Sequence, residues 1–186
     1  MQNNISRCPW CLSDPLYIEY HDTEWGIEIH NDTKIFEFLI LEGMQAGLSW
    51  FTILKRRENF RKAFANFDAE KIAKFDKKKV EELMLDSGII RNRLKIEATI
   101  INAKKFLDIQ KEFGSFDKYI WQFVKYKQKV NNWSNLSEIP SSTKVSDAMS
   151  KDLKKRGFKF VGTTICYAFM QAIGMVNDHV KTCKYR

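Results

Sequence analysis

The chain has 186 residues, and 31 Lys and Arg against 23 Asp and Glu give it a formal net charge of +8 at pH 7. A chain of this length forms one domain, or two small lobes around one cleft, and buries roughly 70% of its unfolded surface without needing disulfides. We expect a reduced, cytoplasmic protein with no membrane contact, because the four cysteines come without an apolar leader or a long apolar run. The positive charge favours nucleic acid as a partner, although a merely lysine-rich surface explains it equally well.

The first predicted helix begins after two cap candidates, Asn31 and Asp32. Apolar residues then recur at helical spacing, as Ile35, Phe38 and Leu39, and later as Ile96, Ile100, Ala103 and Leu107. No proline interrupts the chain between about residues 32 and 125, so helices fill this stretch. A polar stretch at 131–142 predicts a loop, and a helix at about 145–156 follows it. The fold class is therefore an all-α bundle.

A glycine-containing turn follows that helix. Gly157 and Gly162 permit a tight turn, and Thr163 is a cap candidate for an apolar helix at 165–173, so backbone N–H groups and a positive helix end would point outward together. A phosphate would fit this arrangement. It is typical of a helix-hairpin-helix element that grips the DNA backbone, but a glycine-terminated helix before a core helix gives the same pattern.

Each end of the chain carries a Cys/His pair. The four residues are Cys8, His21, His179 and Cys183. Two thiolates and two imidazoles form the tetrahedral set that zinc prefers, and four protein ligands leave no position for water, so one zinc per chain would be structural. The alternative is a set of ordinary reduced cysteines and solvated histidines.

Glu42 places a carboxylate on the apolar face of the first predicted helix. A buried carboxylate needs hydrogen bonds or a raised pKa, and both are typical of functional sites, although a glutamate near a helix end can also reach solvent. Five aromatic residues lie near it in sequence: Trp10, Tyr17, Tyr20, Trp25 and Trp50. Aromatic walls with one acceptor suit a flipped-out purine, but because aromatics are core formers by default we expect two or three of the five at a site.

Five motifs in chain order, spanning about Cys8 to Cys183, resemble the 3-methyladenine DNA glycosylase I family of the helix-hairpin-helix superfamily. They are Tyr20-His21-Asp22-x2-Trp25-Gly26, Leu41-Glu42-Gly43-x-Gln45-Ala46-Gly47-Leu48-Ser49-Trp50, Gly88-Ile89-Ile90-Arg91, Lys155-Arg156-Gly157-Phe158-Lys159-Phe160-Val161-Gly162 and Asn177-Asp178-His179. The resemblance implies that zinc joins the ends through the Cys/His set, and that Glu42, Tyr20 and Trp50 bind the base. It also implies that the turn at Gly47 and Leu48 enters the gap left by the flipped nucleotide.

Some positions depart from the family pattern. Cys11 forms a CxxC with Cys8 and could compete for the metal. Asp178 stands close to where the wider superfamily places a catalytic aspartate, so it is a rival to Glu42. Because no lysine occupies a matched Schiff-base position after the turn, the resemblance implies a monofunctional enzyme without lyase activity.

The resemblance implies base-excision repair of alkylated double-stranded DNA by a monomer that hydrolyses the N-glycosidic bond of 3-methyladenine. Arg91, Arg93 and Lys159 sit beside glycine turns or a helix start without an apolar role, so we expect them to contact phosphates, although the first two also suit a solvated helix start. A zinc-containing DNA-binding module without activity is the alternative. A small-molecule enzyme conflicts with the charge and the glycine turn.

Overall fold

The structure is a computed structural model that describes residues 6–186. Its helices are α1 (Pro15–Thr23), α2 (Asp32–Gln45), α3 (Trp50–Leu54), α4 (Arg57–Ala63), α5 (Ala69–Ile72), α6 (Lys77–Leu85), α7 (Arg93–Phe113), α8 (Phe116–Trp121), α9 (Lys144–Lys155) and α10 (Thr163–Ala172). Two strands of two residues each, β1 (Lys129–Val130) and β2 (Val176–Asn177), pair in parallel. The mostly helical fold expected from the spacing is confirmed.

Helix α2 is the central helix of the fold. Asn31 caps it, since its side chain accepts a hydrogen bond from the backbone N–H of Lys34 at 3.0 Å. The helix packs against α3, α7, α8 and α10, and every residue from Ile35 to Met44 is buried. One apolar face was expected, but burial on all sides results because neighbouring helices surround α2. The long central helix therefore carries its glutamates into the interior.

Helices α9 and α10 pack against each other across the glycine turn. Gly157 has φ +93°, which favours glycine, but Gly162 has φ −63° in extended backbone that any residue adopts. The second left-handed residue of the turn is Phe160, with φ 55°. The expected cap by Thr163 is wrong: Gly162 is the N-cap of α10, and the Thr163 hydroxyl instead donates to Asp147 of α9 at 2.6 Å.

The two ends of the described chain lie side by side. The backbone N–H of Lys184 donates to the carbonyl oxygen of Ser6 at 3.0 Å. Pairing of Lys129 with Val176 holds the segment after α8 against the segment after α10. Gly174 permits the segment after α10 to pack closely against the segment after α1, because a Cβ there would lie 2.2 Å from the backbone carbonyl carbon of Ile27. These contacts bring residues from both termini to one side of the core.

One connected cluster of buried apolar side chains runs through the described helices. It extends from Cys8 near the start to Cys183 near the end. Nowhere in residues 6–186 is a helix both long and apolar enough to cross a membrane. A single domain, divided into two lobes, stays a prediction.

Candidate active site

A cavity of about 360 Å³ lies between α1, α2, α3, α10 and the loop before α9. Its lining residues are Trp10, Tyr17, Tyr20, Trp25, Glu42, Gln45, Trp50, Leu136, Ile139, Ala168 and Gln171. All five aromatic residues selected from the sequence are in this list, where two or three were expected. The helices thus gather one carboxylate and five aromatic rings around a single space.

The carboxyl group of Glu42 is buried without a partner. The residue is 3% exposed, and among the described residues its Oε2 atom has no hydrogen-bond partner. Because burial disfavours the charged form and no cation compensates for it, the pKa of Glu42 rises to about 8. The solvent-exposed position considered for this side chain is therefore wrong, since α2 continues for another turn under its neighbours. An unpaired carboxyl group beside a cavity is prepared to receive a hydrogen-bonding or cationic ligand.

Glu37 is a second buried glutamate of α2, and its surroundings differ from those of Glu42. It is also buried, but it pairs with the Arg61 guanidinium at 2.6 Å and with the Lys34 ammonium at 3.0 Å. Burial of a charge is costly unless it is paired, and Glu37 meets this requirement within the protein. The contrast with Glu42 separates a carboxylate that stabilises the fold from one that is kept for a ligand.

Trp50 and Tyr20 form one wall of the cavity next to Glu42. Their ring centroids are 5.4 Å apart, and Phe38 stacks behind Trp50 at 6.3 Å. The Nε1 atom of Trp50 is buried and has no acceptor in the described part of the chain. Ser49 caps the short helix α3 and so sets the orientation of Trp50 at its first position. A planar apolar ligand fits against this wall.

Trp10, Tyr17 and Trp25 form another part of the lining. The Trp10 ring lies 4.8 Å from the Tyr17 ring and 5.0 Å from the Trp25 ring, in edge-to-face geometry. Such pairs hold large rings in place and leave little freedom to rearrange. The cavity is therefore shaped before any ligand arrives.

Several residues that line the cavity were not predicted from the sequence. Leu136 and Ile139 come from the polar loop before α9, and Gln45, Ala168 and Gln171 come from α2 and α10. The two apolar residues within a polar stretch were a signal, because isolated apolar side chains in a loop often pack onto the core. Gln45 and Gln171 gave no comparable signal, since glutamine is common on helix surfaces.

The turn after α2 presents Leu48 to solvent. Gly47 has φ +79°, and the Leu48 side chain is 43% exposed. Behind the turn, the buried ammonium group of Lys95 donates to the carbonyl oxygens of Met44 and Ala46 at 2.8 and 2.7 Å. Lys95 therefore stabilises the end of α2 and is not available to a phosphate.

The three cationic residues expected to contact phosphates differ in their surroundings. Arg93 forms a two-pronged ion pair with Glu81 at 2.8 Å, so much of its charge is already balanced. Neither Arg91 nor the side chain of Lys159 has an ion-pair partner within residues 6–186. The backbone of Lys159 is fixed by Asn102, whose amide accepts from its N–H at 2.8 Å and donates to its carbonyl oxygen at 3.0 Å.

The Cys/His residues of the two termini form one buried cluster. Cys8, His21 and Cys183 present ligand atoms that all lie within 4.8 Å of one another. The His179 ring is 4.7 Å from the His21 ring, and its Nε2 atom is buried without a partner among the described residues. Its Nδ1 bonds to Asn177 at 2.8 Å, and the Nδ1 of His21 bonds to Asp22 at 2.7 Å.

This arrangement fits a metal ion. Bonding of each Nδ1 to an oxygen leaves each Nε2 as the metal-facing atom, which is the usual support for ligating histidines. Burial raises the pKa of the Cys8 thiol to about 12 and lowers that of His179 to about 4, so without a metal these two ligands are uncharged at neutral pH. The expected competitor Cys11 is turned away, since its Sγ donates to the carbonyl oxygen of Cys8 at 3.2 Å.

The cluster also touches the cavity wall. The Trp25 ring lies 4.6 Å from the His179 ring, and the Trp10 ring lies 5.3 Å from the His21 ring. A structural zinc at the chain ends gave no reason to expect contact with the cavity. The structure instead puts two cavity residues directly against it, so any disturbance of the cluster reaches the site.

Asp178, the rival carboxylate, is fully satisfied inside the protein. It accepts hydrogen bonds from four donors, Asn131, Trp133, Tyr167 and Gln171, at 2.6 to 2.8 Å. It does not line the cavity. Asp178 therefore connects the loop before α9 to α10, while Glu42 alone of the two faces the cavity.

Comparison with known proteins gives a consistent result. The family model for methyladenine glycosylase matches residues 10–186. DNA-3-methyladenine glycosylase 1 of Escherichia coli strain K12 is 54% identical over 179 residues, which cover 96% of each chain. A crystal structure of 3-methyladenine DNA glycosylase I has a TM-score of 0.94 and 51% identity, covering 96% of this chain and 98% of that one. The Staphylococcus aureus 3-methyladenine DNA glycosylase I, solved to explain recognition of 3-methyladenine, has a TM-score of 0.93 and 36% identity, covering 96% and 95% of the two chains.

Proposed function

This chain belongs to the methyladenine glycosylase family, and we propose that it removes 3-methyladenine from alkylated DNA in base-excision repair. The reaction hydrolyses the N-glycosidic bond, releases the free base and leaves an abasic site. The observation that carries the proposal is the unpartnered carboxyl group of Glu42 in a cavity walled by aromatic rings. An enzyme that acts on a base must take it out of the duplex, and such a cavity receives a planar base.

In this mechanism the extruded base stacks against Trp50, and the ionised Glu42 accepts a hydrogen bond from it. Methylation at N3 makes the base cationic, so the carboxylate favours the damaged base over neutral adenine. Water adds its oxygen to the sugar carbon as the bond from that carbon to the base breaks. The bonding electrons neutralise the departing base, and the attacking water loses a proton to solvent. A labile leaving group of this kind needs little acid catalysis.

The finer features of the reaction are part of the same proposal. Cleavage is monofunctional, without lyase activity, because no lysine is matched to a Schiff-base role. The substrate is double-stranded DNA bound by a monomer, with α9, the turn and α10 acting as a helix-hairpin-helix grip on the backbone and Leu48 entering the duplex. The cytoplasmic location proposed here is supported by four cysteines that form no disulfide.

We propose further that Cys8, His21, His179 and Cys183 hold one structural zinc ion. Support comes from the buried, unpartnered Nε2 atom of His179 and from the oxygen partners of both imidazole Nδ1 atoms. Bound zinc would supply cross-linking of the two ends and no reaction chemistry, since four protein ligands complete its coordination.

Replacing a metal ligand is expected to destabilise the protein. Cys8→Ser or His179→Ala should lower the melting temperature and reduce the bound zinc below one atom per chain, because metal-binding energy contributes to folding energy. Metal analysis and thermal melts test this. Cys11→Ser is the matched control and should keep both zinc and stability. Loss of zinc in Cys11→Ser but not in Cys8→Ser would show that the ligand assignment is wrong by one cysteine.

Release of free base is the direct test of the proposed function. Incubation with methylated duplex DNA should release 3-methyladenine, whereas unmodified DNA should release no base. DNA binding without base release would favour the alternative, a DNA-binding module that lacks activity. Strand cleavage at the abasic site by the protein itself would contradict the monofunctional part of the proposal.

Neutralising a phosphate contact should weaken DNA binding in a salt-dependent way. Arg91→Gln and Lys159→Gln are each expected to reduce the slope of log affinity against log salt by about 1, whatever the sequence of the DNA. Arg93→Gln should have a smaller effect, because the Arg93 guanidinium is paired with Glu81. Titration of duplex DNA at several salt concentrations measures the slopes. Unchanged slopes for Arg91 and Lys159 would remove them from the DNA face.

A further inference from the structure

Gln171 lines the cavity at the end of α10 and has its amide group held from behind. Its Nε2 atom donates a hydrogen bond to Oδ2 of Asp178 at 2.8 Å. The Tyr167 hydroxyl donates to the same oxygen at 2.7 Å, and Asn131 and Trp133 donate to Oδ1. Because an indole N–H can only donate and a carboxylate only accepts, every bond around Asp178 runs toward it.

This network fixes which way the Gln171 amide faces. A glutamine amide can be reversed without changing its shape, and only its hydrogen-bond partners decide the orientation. Because Asp178 can only accept, it bonds to the NH2 group of Gln171, and the amide oxygen of Gln171 is not used in this bond. Among the described residues no donor bonds to that oxygen. This oxygen is therefore an acceptor of the cavity lining in addition to Glu42, and α10 packs against α2, which carries Glu42.

We propose that Gln171 is a specificity-determining residue whose amide oxygen accepts a hydrogen bond from the 6-amino group of the extruded base. This inference rests on the proposed function. In DNA the N9 atom of 3-methyladenine is bonded to the sugar, and its N1 and N7 atoms only accept. The two N–H bonds of the 6-amino group are then its only N–H donors, and Glu42 and Gln171 supply one acceptor for each.

The same geometry rejects a base with oxygen at position 6. Such a base presents an acceptor where the Gln171 amide also presents an acceptor, and unsatisfied polar groups in a desolvated site cost binding free energy. Asp178 is then a positioning residue, since it touches no base and acts through Gln171. This gives a role to a carboxylate that lies next to the site without lining it.

Binding of two free bases separates this role from a merely structural one. The probes are 3-methyladenine and 3-methylhypoxanthine, which differ at position 6 by an amino group against an oxygen. Wild-type protein should prefer the amino base. Gln171→Met, which keeps the size and removes the acceptor, should lower the preference about tenfold. A preference unchanged in Gln171→Met overturns the proposal.

Asp178→Asn tests the orientation of the Gln171 amide directly. The indole N–H of Trp133 can only donate, so the oxygen of the new asparagine amide stays on the Trp133 side. The NH2 group of the new amide then faces Gln171. Because two NH2 groups cannot bond to each other, the Gln171 amide reverses and turns its oxygen toward residue 178. The cavity then presents a donor, and the preference should shift toward the oxo base by more than in Gln171→Met. In the double variant with Gln171→Met, the Asp178→Asn change should have no further effect on the preference. Equal weakening of both bases in Asp178→Asn would mean simple destabilisation and would contradict the positioning role.

Zinc content and melting temperature monitor folding, since Asp178 adjoins His179. Tyr167→Phe is the matched control, because it removes a donor from the same Asp178 oxygen without reversing the Gln171 amide. It should keep the wild-type preference. Failure of wild-type protein to bind 3-methyladenine would overturn the proposed function and this inference together, whereas wild-type binding with an unaltered preference in the variants would overturn the inference alone.

Discussion

Glu42→Gln should excise 3-methyladenine roughly 30- to 1000-fold more slowly than wild type while binding duplex DNA almost unchanged. Glutamine keeps the size of the side chain and one acceptor oxygen but loses the negative charge that favours a cationic base. Loss of one such charged contact costs about 2–4 kcal/mol in the transition state. The lesion's own charge already weakens the glycosidic bond, so the loss stays below the ~10⁴-fold typical of an indispensable catalytic partner.

Single-turnover excision and DNA binding by fluorescence anisotropy measure the two effects separately. The pH profile adds a signature of the carboxylate, because kcat/KM reports ionisation in the free enzyme. With a Glu42 pKa of about 8, wild-type kcat/KM should rise with pH and level off above that value, and the variant should lack this rise. Glu37→Gln is the matched control, since Glu37 is buried in the same helix but paired with Arg61. Wild-type excision rates in Glu42→Gln would remove the carboxylate from the mechanism.

The second large effect concerns stability. Relative to wild type, Glu42→Gln should gain free energy of unfolding as the pH rises from 5 to 8. Burial raises the pKa of Glu42 from 4.5 to about 8. Below pH 4.5 both folded and unfolded wild-type chains are protonated, so the group contributes no penalty. Between the two pKa values the unfolded chain releases its proton while the folded chain keeps it, so wild-type stability falls as pH increases.

The accumulated penalty in wild type reaches up to about 4 kcal/mol near pH 8, at roughly 1.4 kcal/mol per pKa unit. Glutamine does not ionise and avoids this penalty, although its buried amide costs a smaller, pH-independent amount. Urea denaturation at pH 5, 6.5 and 8 measures the difference in free energy of unfolding between the two proteins. The contributions of all other titrating groups are the same in both proteins and cancel in this difference. A difference that stays constant over this range would contradict an unpaired, buried carboxyl group. The higher stability expected for Glu42→Gln also means that the unpaired Glu42 carboxyl group makes the wild-type protein less stable than it would be without this group.

Several features of this protein could be read from the sequence because they depend on local spacing or on rare residue types. Helical periodicity predicted the mostly helical fold from α2 onward but missed α1 (Pro15–Thr23), and the glutamate within the apolar pattern of α2 was correctly expected to be buried. The Cys/His pairs stood out because this chain has few such residues, and the structure places Cys8, His21 and Cys183 together with His179 beside them. These conclusions required no knowledge of which helices touch.

Other features were decided only by tertiary structure. Glu42 and Asp178 are equivalent as carboxylates in the sequence, but four distant donors satisfy Asp178 and none reaches Glu42. In the same way, Glu81 takes up the charge of Arg93, and the pocket-facing role of Gln171 depends on a hydrogen bond to Asp178. The physical reason is common to all of them: a polar group's function depends on whether packing supplies it with a partner, and the partners come from segments far apart in the chain.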